Sequence, residues 1–556
     1  MAQVLQQVRH AFHELLLLLP QASAVAVLVS ILLIIILIEI VRRPSTAAAT
    51  AARRRASIRE ELLSKLPSPP GRLPAIGHLH LVGSLPHVSL RDLAARHGRD
   101  GLLLLRLGAV PTLIVSSPRA AQAVLRTHDH VFASRASSPV TDILFYGSTD
   151  VAFAPYGEHW RQVRKIATTH LLTARKVRSY RRAREHEVRL VVARIREAAA
   201  GTGGAAVDLS ELLNCFTNDV VCHAVSGKFF REEGRNRLFR ELVEANSSLI
   251  GGFNVEDYFP ALVKLEVVKR MVCAKARKVK GMWDELLEKL IDDHASRLPA
   301  AERDGGEESS DFIDVLLSVQ QEYKLTRDHI KAQLAIMFEA GTDTSFIVLE
   351  YAMVRLMQNP GLMDKLQAEV RSTVGKARKD KDDDDMVVTE DELNDNINNL
   401  AYLKAVIKET LRLHMPAPLL VPHLSMADCD IEGYTIPAGT RAIVNGWALA
   451  RDPSYWEKAE EFMPERFMEG GSAAAMEYKG NDFLYLPFGA GRRICPGINF
   501  ATSTILVMLA NLVYHFNWEL PPESAEKGID MTESFGVTVH RKEKLLLVPV
   551  LPPSYH

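Results

Sequence analysis

A chain of 556 residues with 47% hydrophobic content can bury a large core, and length alone does not force two domains. Lys plus Arg total 67 against 68 for Asp plus Glu, a formal charge of −1, which argues against a nucleic-acid binder carrying a basic excess. Five cysteines, an odd number with no Cys-x-x-Cys pair, argue against a disulfide framework or a zinc site and fit a reducing compartment.

Residues 22–41 read ASAVAVLVSILLIIILIEIV, with Glu39 as the one charge. A helix of that length spans about 30 Å, the thickness of a bilayer core. Arg42, Arg43 and Arg53 to Arg55 follow it, whereas Arg9 alone precedes it, so the positive flank keeps the rest of the chain cytosolic. A cleaved signal peptide is the competing reading, with Ala47-Ala48-Ala49 as a possible cleavage site, but the run is long for one. We therefore expect a membrane anchor at 1–41, a basic and proline-rich linker at 42–74, and a catalytic domain at 75–556. Within the linker, Pro67, Pro69, Pro70 and Pro74 forbid helix and favour a stiff extended strut.

Further along, Leu102–Leu107 and Val110–Val115 flank Gly108-Ala109 and predict a β-hairpin. Helical periodicity dominates as far as Leu413, for example over Val177–Ala200, Met282–His294 and His329–Met357. The charge run at 376–385 reads as a solvated loop. From Cys429 the chain turns irregular, with one more helix at Ile498–His515 and a strand at Leu545–Val550. The class is mainly α with a smaller β portion.

Four motifs carry chemistry. In Phe488-Gly489-Ala490-Gly491-Arg492-Arg493-Ile494-Cys495-Pro496-Gly497, Gly491 and Gly497 permit tight turns beside a flat ligand. The helix that follows aims its first amides at the sulfur and favours the thiolate. Arg493 offers a positive group to a cofactor carboxylate. A lone cysteine between glycines would otherwise read as a buried structural thiol. In Ala340-Gly341-Thr342-Asp343-Thr344-Ser345, the polar Asp343 and Thr344 sit in an apolar helix, where glycine and hydroxyls can open the helix and admit water. A kink with a satisfied hydroxyl is the alternative. Glu409 and Arg412 share a helix face. Trp160 and Arg164 are spaced to grip an anion, or simply to lie on a surface helix.

The pattern Phe-x-x-Gly-x-Arg-x-Cys-x-Gly resembles the heme-ligand signature of the cytochromes P-450. The resemblance implies a cytochrome P-450 fold preceded by one transmembrane helix, with heme b whose iron is ligated by Cys495. It places Phe488 against the heme and Trp160, Arg164, Arg493 and His423 near its propionates. Many members of the family carry Arg at the place of His423 and Pro at the place of Met415. Asp343 and Thr344 take the acid and alcohol roles that bring protons to dioxygen. Glu409 and Arg412, met by Arg466, form a buried triad. A heme monooxygenase of this kind takes electrons from NADPH through a separate reductase, since no dinucleotide fingerprint or flavin domain is legible here. The general look is that of a plant endoplasmic-reticulum enzyme, single-pass, with its catalytic domain in the cytosol. Leu73–Leu81, Val225–Phe229, Glu233–Leu242, Thr326–Ala332 and His423 are similar to the grass enzymes that oxidise indole and indolin-2-one in benzoxazinoid synthesis.

That subgroup implies ring hydroxylation of a small hydrophobic indole-type substrate. The alternatives are another plant specialised metabolite such as a terpenoid, an oxygen-independent isomerase or dehydratase, and a non-enzymatic heme carrier. By family match the substrate pocket draws on 140–145, 250–255, 335–340, 417–421 and 535–539. Glu339 orients an indole N–H, faces water or forms a salt bridge.

Overall fold

The chain is described from a computed structural model covering residues 47–552, apart from 202–204, 229–234, 253, 265, 297–309 and 378–386. The apolar run at 22–41 and most of the charge run at 376–385 lie outside the described residues. Two units are distinguished, 1–61 and 62–556. The described part of the first is helical, within α1 (Ala47–Ser64), whose alanines and arginines are strong helix formers. The connector expected in this region is thus a helix.

In the second unit the helices used below are α2 (Pro86–His97), α3 (Glu158–Ile166), α4 (Arg181–Ala200), α5 (Leu209–Ser226), α6 (Arg235–Gly251), α7 (Ala274–Ala295), α8 (Arg327–Gln358), α9 (Pro360–Ala377), α10 (Ala401–Leu413) and α11 (Ile498–His515). Its strands are β1 (Leu102–Leu107), β2 (Val110–Val115), β3 (Val207–Asp208), β4 (His423–Leu424), β5 (Cys429–Ile431), β6 (Tyr434–Ile436), β7 (Arg441–Val444), β8 (Asn517–Glu519), β9 (Glu533–Phe535), β10 (Val539–Arg541) and β11 (Leu546–Val550). The fold is mainly helical with small sheets.

The proline-rich stretch is laid against the first sheet. Leu66 is buried, and the Pro67 carbonyl accepts from Leu104 N at 2.7 Å. Gly77 bridges to Leu107 and has φ +61, and a Cβ there would lie 2.2 Å from the Arg106 carbonyl oxygen. β1 and β2 form the expected hairpin, with Leu107 opposite Val110. Gly108, at φ +59, occupies the first central position of a two-residue turn, where a positive φ matches the strand twist. β2 then pairs in parallel with β7, and β4 completes the order β1-β2-β7-β4.

α8 is the axis of the helical body. Thr326 caps it, accepting from His329 N at 3.2 Å while the His329 ring accepts from Thr326 N at 3.3 Å. It stops at Asn359, because Pro360 disfavours a helical residue before it. α5 packs across it, and at Gly341 the approach is so close that a Cβ would lie 2.8 Å from a Val221 methyl. The helix expected from Val177 is divided by Tyr180 into a short turn, Ala174–Ser179, and α4. α11 is long and apolar enough to cross a membrane, yet its side chains are largely buried against α4, α8 and α9, so it is a core helix.

Candidate active site

A cavity of about 280 Å³ lies between the loop before α11 and the middle of α8. Its walls include Cys495, Phe488 and Gly497 on one side and Ala340, Gly341, Thr344 and Ser345 on the other. Among the described residues, Cys495 is the one cysteine on this wall. The loop is closed by backbone: Cys495 N donates to the Phe488 carbonyl at 3.0 Å, and Ile494 N to that of Gly491 at 3.1 Å. Gly491 has φ +67, and a Cβ there would lie 1.9 Å from the Leu125 carbonyl, so no other residue fits. Gly489, at φ +69, makes the other left-handed turn. Gly497 lies in the turn before α11, as expected, with an ordinary φ of −89. It caps α11 and donates its N–H to Cys495 Sγ at 3.3 Å. Burial pushes the Cys495 thiol up, while this amide and the Arg164 guanidinium pull it back toward thiolate.

On the facing wall α8 runs as one helix through Gly341. The glycine is there because Val221 of α5 leaves no room for a side chain. The Thr344 hydroxyl lines the cavity and donates back to the Ala340 carbonyl at 2.7 Å. Asp343 does not line it. Its carboxylate accepts from the Thr538 hydroxyl beside β10, and that oxygen lies 3.1 Å from Ser247 Oγ of α6. Burial raises the Asp343 carboxyl, opposed by Thr538 and His540. Glu339, one turn earlier on α8, also lies outside the cavity wall. It is buried, its Oε2 has no hydrogen-bond partner among the described residues, and it makes no salt bridge among them. Burial, then the neighbouring Asp343, raise its carboxyl well above the usual range.

Along one edge of the cavity stand Arg135, Arg164, Arg493 and His423. Arg493 is committed to backbone: it donates to the carbonyls of Ala133 at 2.7 Å and Ala154 at 2.6 Å, and lies 4.2 Å over the Trp160 ring. Trp160 itself is behind the wall, with its indole N–H donated to Val151 O at 3.0 Å rather than turned to an anion. Arg135, in no motif above, donates to Ala152, Val421 and Pro422 through Nε and Nη1, leaving Nη2 without a partner among the described residues. The Arg164 guanidinium of α3 makes no hydrogen bond or ion pair among the described residues. His423 Nδ1 meets the Phe132 carbonyl at 2.7 Å, which fixes Nε2 as the lone-pair nitrogen of a neutral ring. Burial and the Arg135 charge hold its pKa well below 6.5, so Nε2 accepts and does not donate. Among the described residues the one carboxylate in this group is Asp150, which accepts from Ala152 N at 2.7 Å and Phe153 N at 2.9 Å and is pushed up to about 6 by burial. Burial likewise lowers Arg493 to about 9.

Three buried or half-buried guanidiniums against one carboxylate leave a local excess of two positive charges. Uncompensated buried charge is costly, so the edge calls for anions. A thiol facing the cavity, apolar walls and an edge of cations together fit a flat apolar macrocycle with carboxylate tails. Of the expected substrate segments, Ile336, Met337, Ala340, Ala417, Leu420 and Val421 line the cavity. The described residues of 140–145, 250–255 and 535–539 do not. The last two stretches close on each other instead, Gly251 lying so near Gly536 that a Cβ would sit 1.8 Å from its carbonyl carbon. Arg135 and Asp150 were not singled out from the sequence; an arginine after the apolar Val131–Ala133 and an aspartate before Val151 were the available signals.

Behind the cavity, Glu409 and Arg412 of α10 form a two-pronged pair at 2.7 and 2.8 Å, both fully buried. Arg466 reaches Glu409 at 3.4 Å, and Met463 N adds a bond at 2.8 Å. Arg412 also donates to the carbonyls of Ala450, Ala459 and Glu461.

Comparison with known proteins agrees with this geometry. The Cytochrome P450 family matches residues 67–548. The chain is 58% identical to an indole-2-monooxygenase of Zea mays over 89% of each chain. It is 55% identical to a 3-hydroxyindolin-2-one monooxygenase of the same plant, over 87% of this chain and 88% of that one. A zebra fish cytochrome P450 solved with abiraterone superposes with TM-score 0.68 at 24% identity, covering 85% of this chain and 100% of that one, and shows the shared fold. The chain therefore belongs to the cytochrome P450 family, the heme-thiolate monooxygenases.

Proposed function

We propose that this enzyme hydroxylates a ring carbon of a small indole or indolin-2-one type compound. The observation that carries the reading is the likeness to two Zea mays enzymes named for indole and 3-hydroxyindolin-2-one, joined to an apolar cavity wall. Heme bound in this cavity supplies the activation of dioxygen, using electrons from NADPH delivered by a redox partner. In our reading Cys495 ligates the iron, and Arg135 and Arg164 hold the propionates. Arg493 acts through packing on Trp160 and through the backbone it ties together. Ile336, Met337, Leu420 and Val421 exclude water from the substrate. Glu339, being behind the wall, does not contact it.

Desolvating a bicyclic ring offers only a few kcal/mol at about 25 cal/mol per Å². Orientation then depends on close packing against those apolar side chains. The test is titration of the purified enzyme with indole, indolin-2-one and a 3-hydroxylated indolinone, followed through the heme absorption band, with turnover and product identification next. Binding and ring hydroxylation of at least one is expected. A terpenoid or fatty acid turned over in place of all three refutes the substrate.

We assign to Thr344 the handling of protons at the cavity. Its hydroxyl presently spends its proton on Ala340, a bond worth about 1 kcal/mol, so turning toward the cavity is inexpensive. Thr344→Ala is expected to keep its heme and to lose product per NADPH by roughly tenfold or more, with peroxide released instead. Full coupling in this variant makes Thr344 merely structural.

A further inference from the structure

A second cavity, of about 370 Å³, opens far from the cysteine in sequence and shares no wall residue with the first. Lys65, Pro67 and Ser68 from the chain after α1, Arg96 to Arg99 at the end of α2, and Tyr434 of β6 line it. Four basic side chains and two hydroxyls converge from three separate segments, and among the described residues no carboxylate is on the wall. On a chain of formal charge −1 this is a local arrangement, not a share in a general positive field.

The frame is fixed by backbone. Leu104 N holds Pro67 O at 2.7 Å, while Arg99 and Leu102 exchange N–H···O bonds of 3.0 and 2.9 Å. Arg96 Nε donates to Asp92 O at 3.1 Å, which orients the guanidinium and leaves its terminal nitrogens available. Asp92's carboxylate is engaged by Arg91 at 3.1 Å. The Arg99 guanidinium, Ser68 Oγ and the Tyr434 hydroxyl make no hydrogen bond or ion pair among the described residues. Basic residues in a last helical turn offset the helix dipole, which accounts for Arg96 and His97. It does not account for Lys65, Arg99, Ser68 and Tyr434 meeting them. Guanidinium and hydroxyl donors around one concavity match the oxygens of a phosphate group.

We propose that this pocket binds a phosphate group, carried by an anionic lipid headgroup or free in solution. The lipid source is favoured by position, since Lys65 directly follows α1, the helix leading back toward the apolar run at 22–41.

The test uses the full-length, heme-loaded enzyme in neutral detergent and isothermal calorimetry. The probes are dihexanoyl phosphatidate, dihexanoyl phosphatidylcholine and inorganic phosphate. Saturable binding of phosphatidate is expected, weakened by added salt and weakened at least roughly tenfold in Arg96→Gln/Arg99→Gln. The carbon monoxide spectrum of that variant stays unchanged, because both side chains are exposed. Phosphatidate binding more tightly than inorganic phosphate identifies the headgroup, and equal affinities identify free phosphate. Phosphatidylcholine bound as tightly as phosphatidate, no binding of either phosphate probe, or a double variant that binds like the parent overturns the proposal.

Discussion

Cys495→Ala is expected to lose the thiolate-type absorption band of the reduced carbon monoxide complex completely. The other four cysteines cannot substitute: Cys222, Cys273 and Cys429 are buried off the cavity wall, and Cys215 has its thiol pushed up to about 11 by burial. Gly497 N and Arg164 favour a thiolate at 495 on the cavity wall, and at Cys215, Cys222 and Cys273 burial raises the thiol more than the neighbouring polar groups lower it. The measurement is the spectrum of the purified variant beside the parent. A surviving thiolate-type band moves the ligand elsewhere and overturns the site.

The second large effect is on stability. Arg412→Met leaves Glu409 fully buried with only Arg466, at 3.4 Å, and one backbone amide. Removing one partner of a buried ion pair costs about 3–5 kcal/mol. Against a net stability of about 5–15 kcal/mol, that is a large fraction. The variant is expected to express poorly and to lose its carbon monoxide band at a markedly lower urea concentration. Lys365→Ala supplies the contrast. Its partner Glu465 lies at a shorter 2.7 Å, but that pair is exposed and worth less than about 1 kcal/mol. If the two variants share the parent's midpoint, the triad braces nothing.

Local rules made part of the molecule legible. The hairpin Leu102–Val115 follows from two apolar runs around a glycine, and its strands are the ones expected. The cysteine loop is readable because positive φ at Gly491 and a helix starting at Ile498 are short-range facts. Directions across the fold were not readable. Asp343 and Thr344 are adjacent on α8, yet a hundred-degree step along a helix turns one hydroxyl into the cavity and the neighbouring carboxylate toward Thr538. Trp160 lies one helical turn before Arg164, as the spacing says, but whether its N–H meets an anion or Val151 is decided by a segment nine residues away. Arg135 depends on Val421, 286 residues later, and no pattern in either segment announces the meeting.

The cysteine loop and the opposite wall are held by different means, and this matters for how the enzyme can change. Peptide groups define the iron side: the Phe488 carbonyl, the Gly497 amide and the Leu125 carbonyl against Gly491. The opposite wall is lined by residues such as Ile336, Met337, Leu420 and Val421, from α8 and the stretch after α10. Point mutation rewrites side chains and leaves peptide groups in place. If these four positions meet the substrate as proposed, preference would drift through single substitutions there while oxygen chemistry is inherited intact, so that gene duplicates would diverge in what they oxidise before they diverge in how.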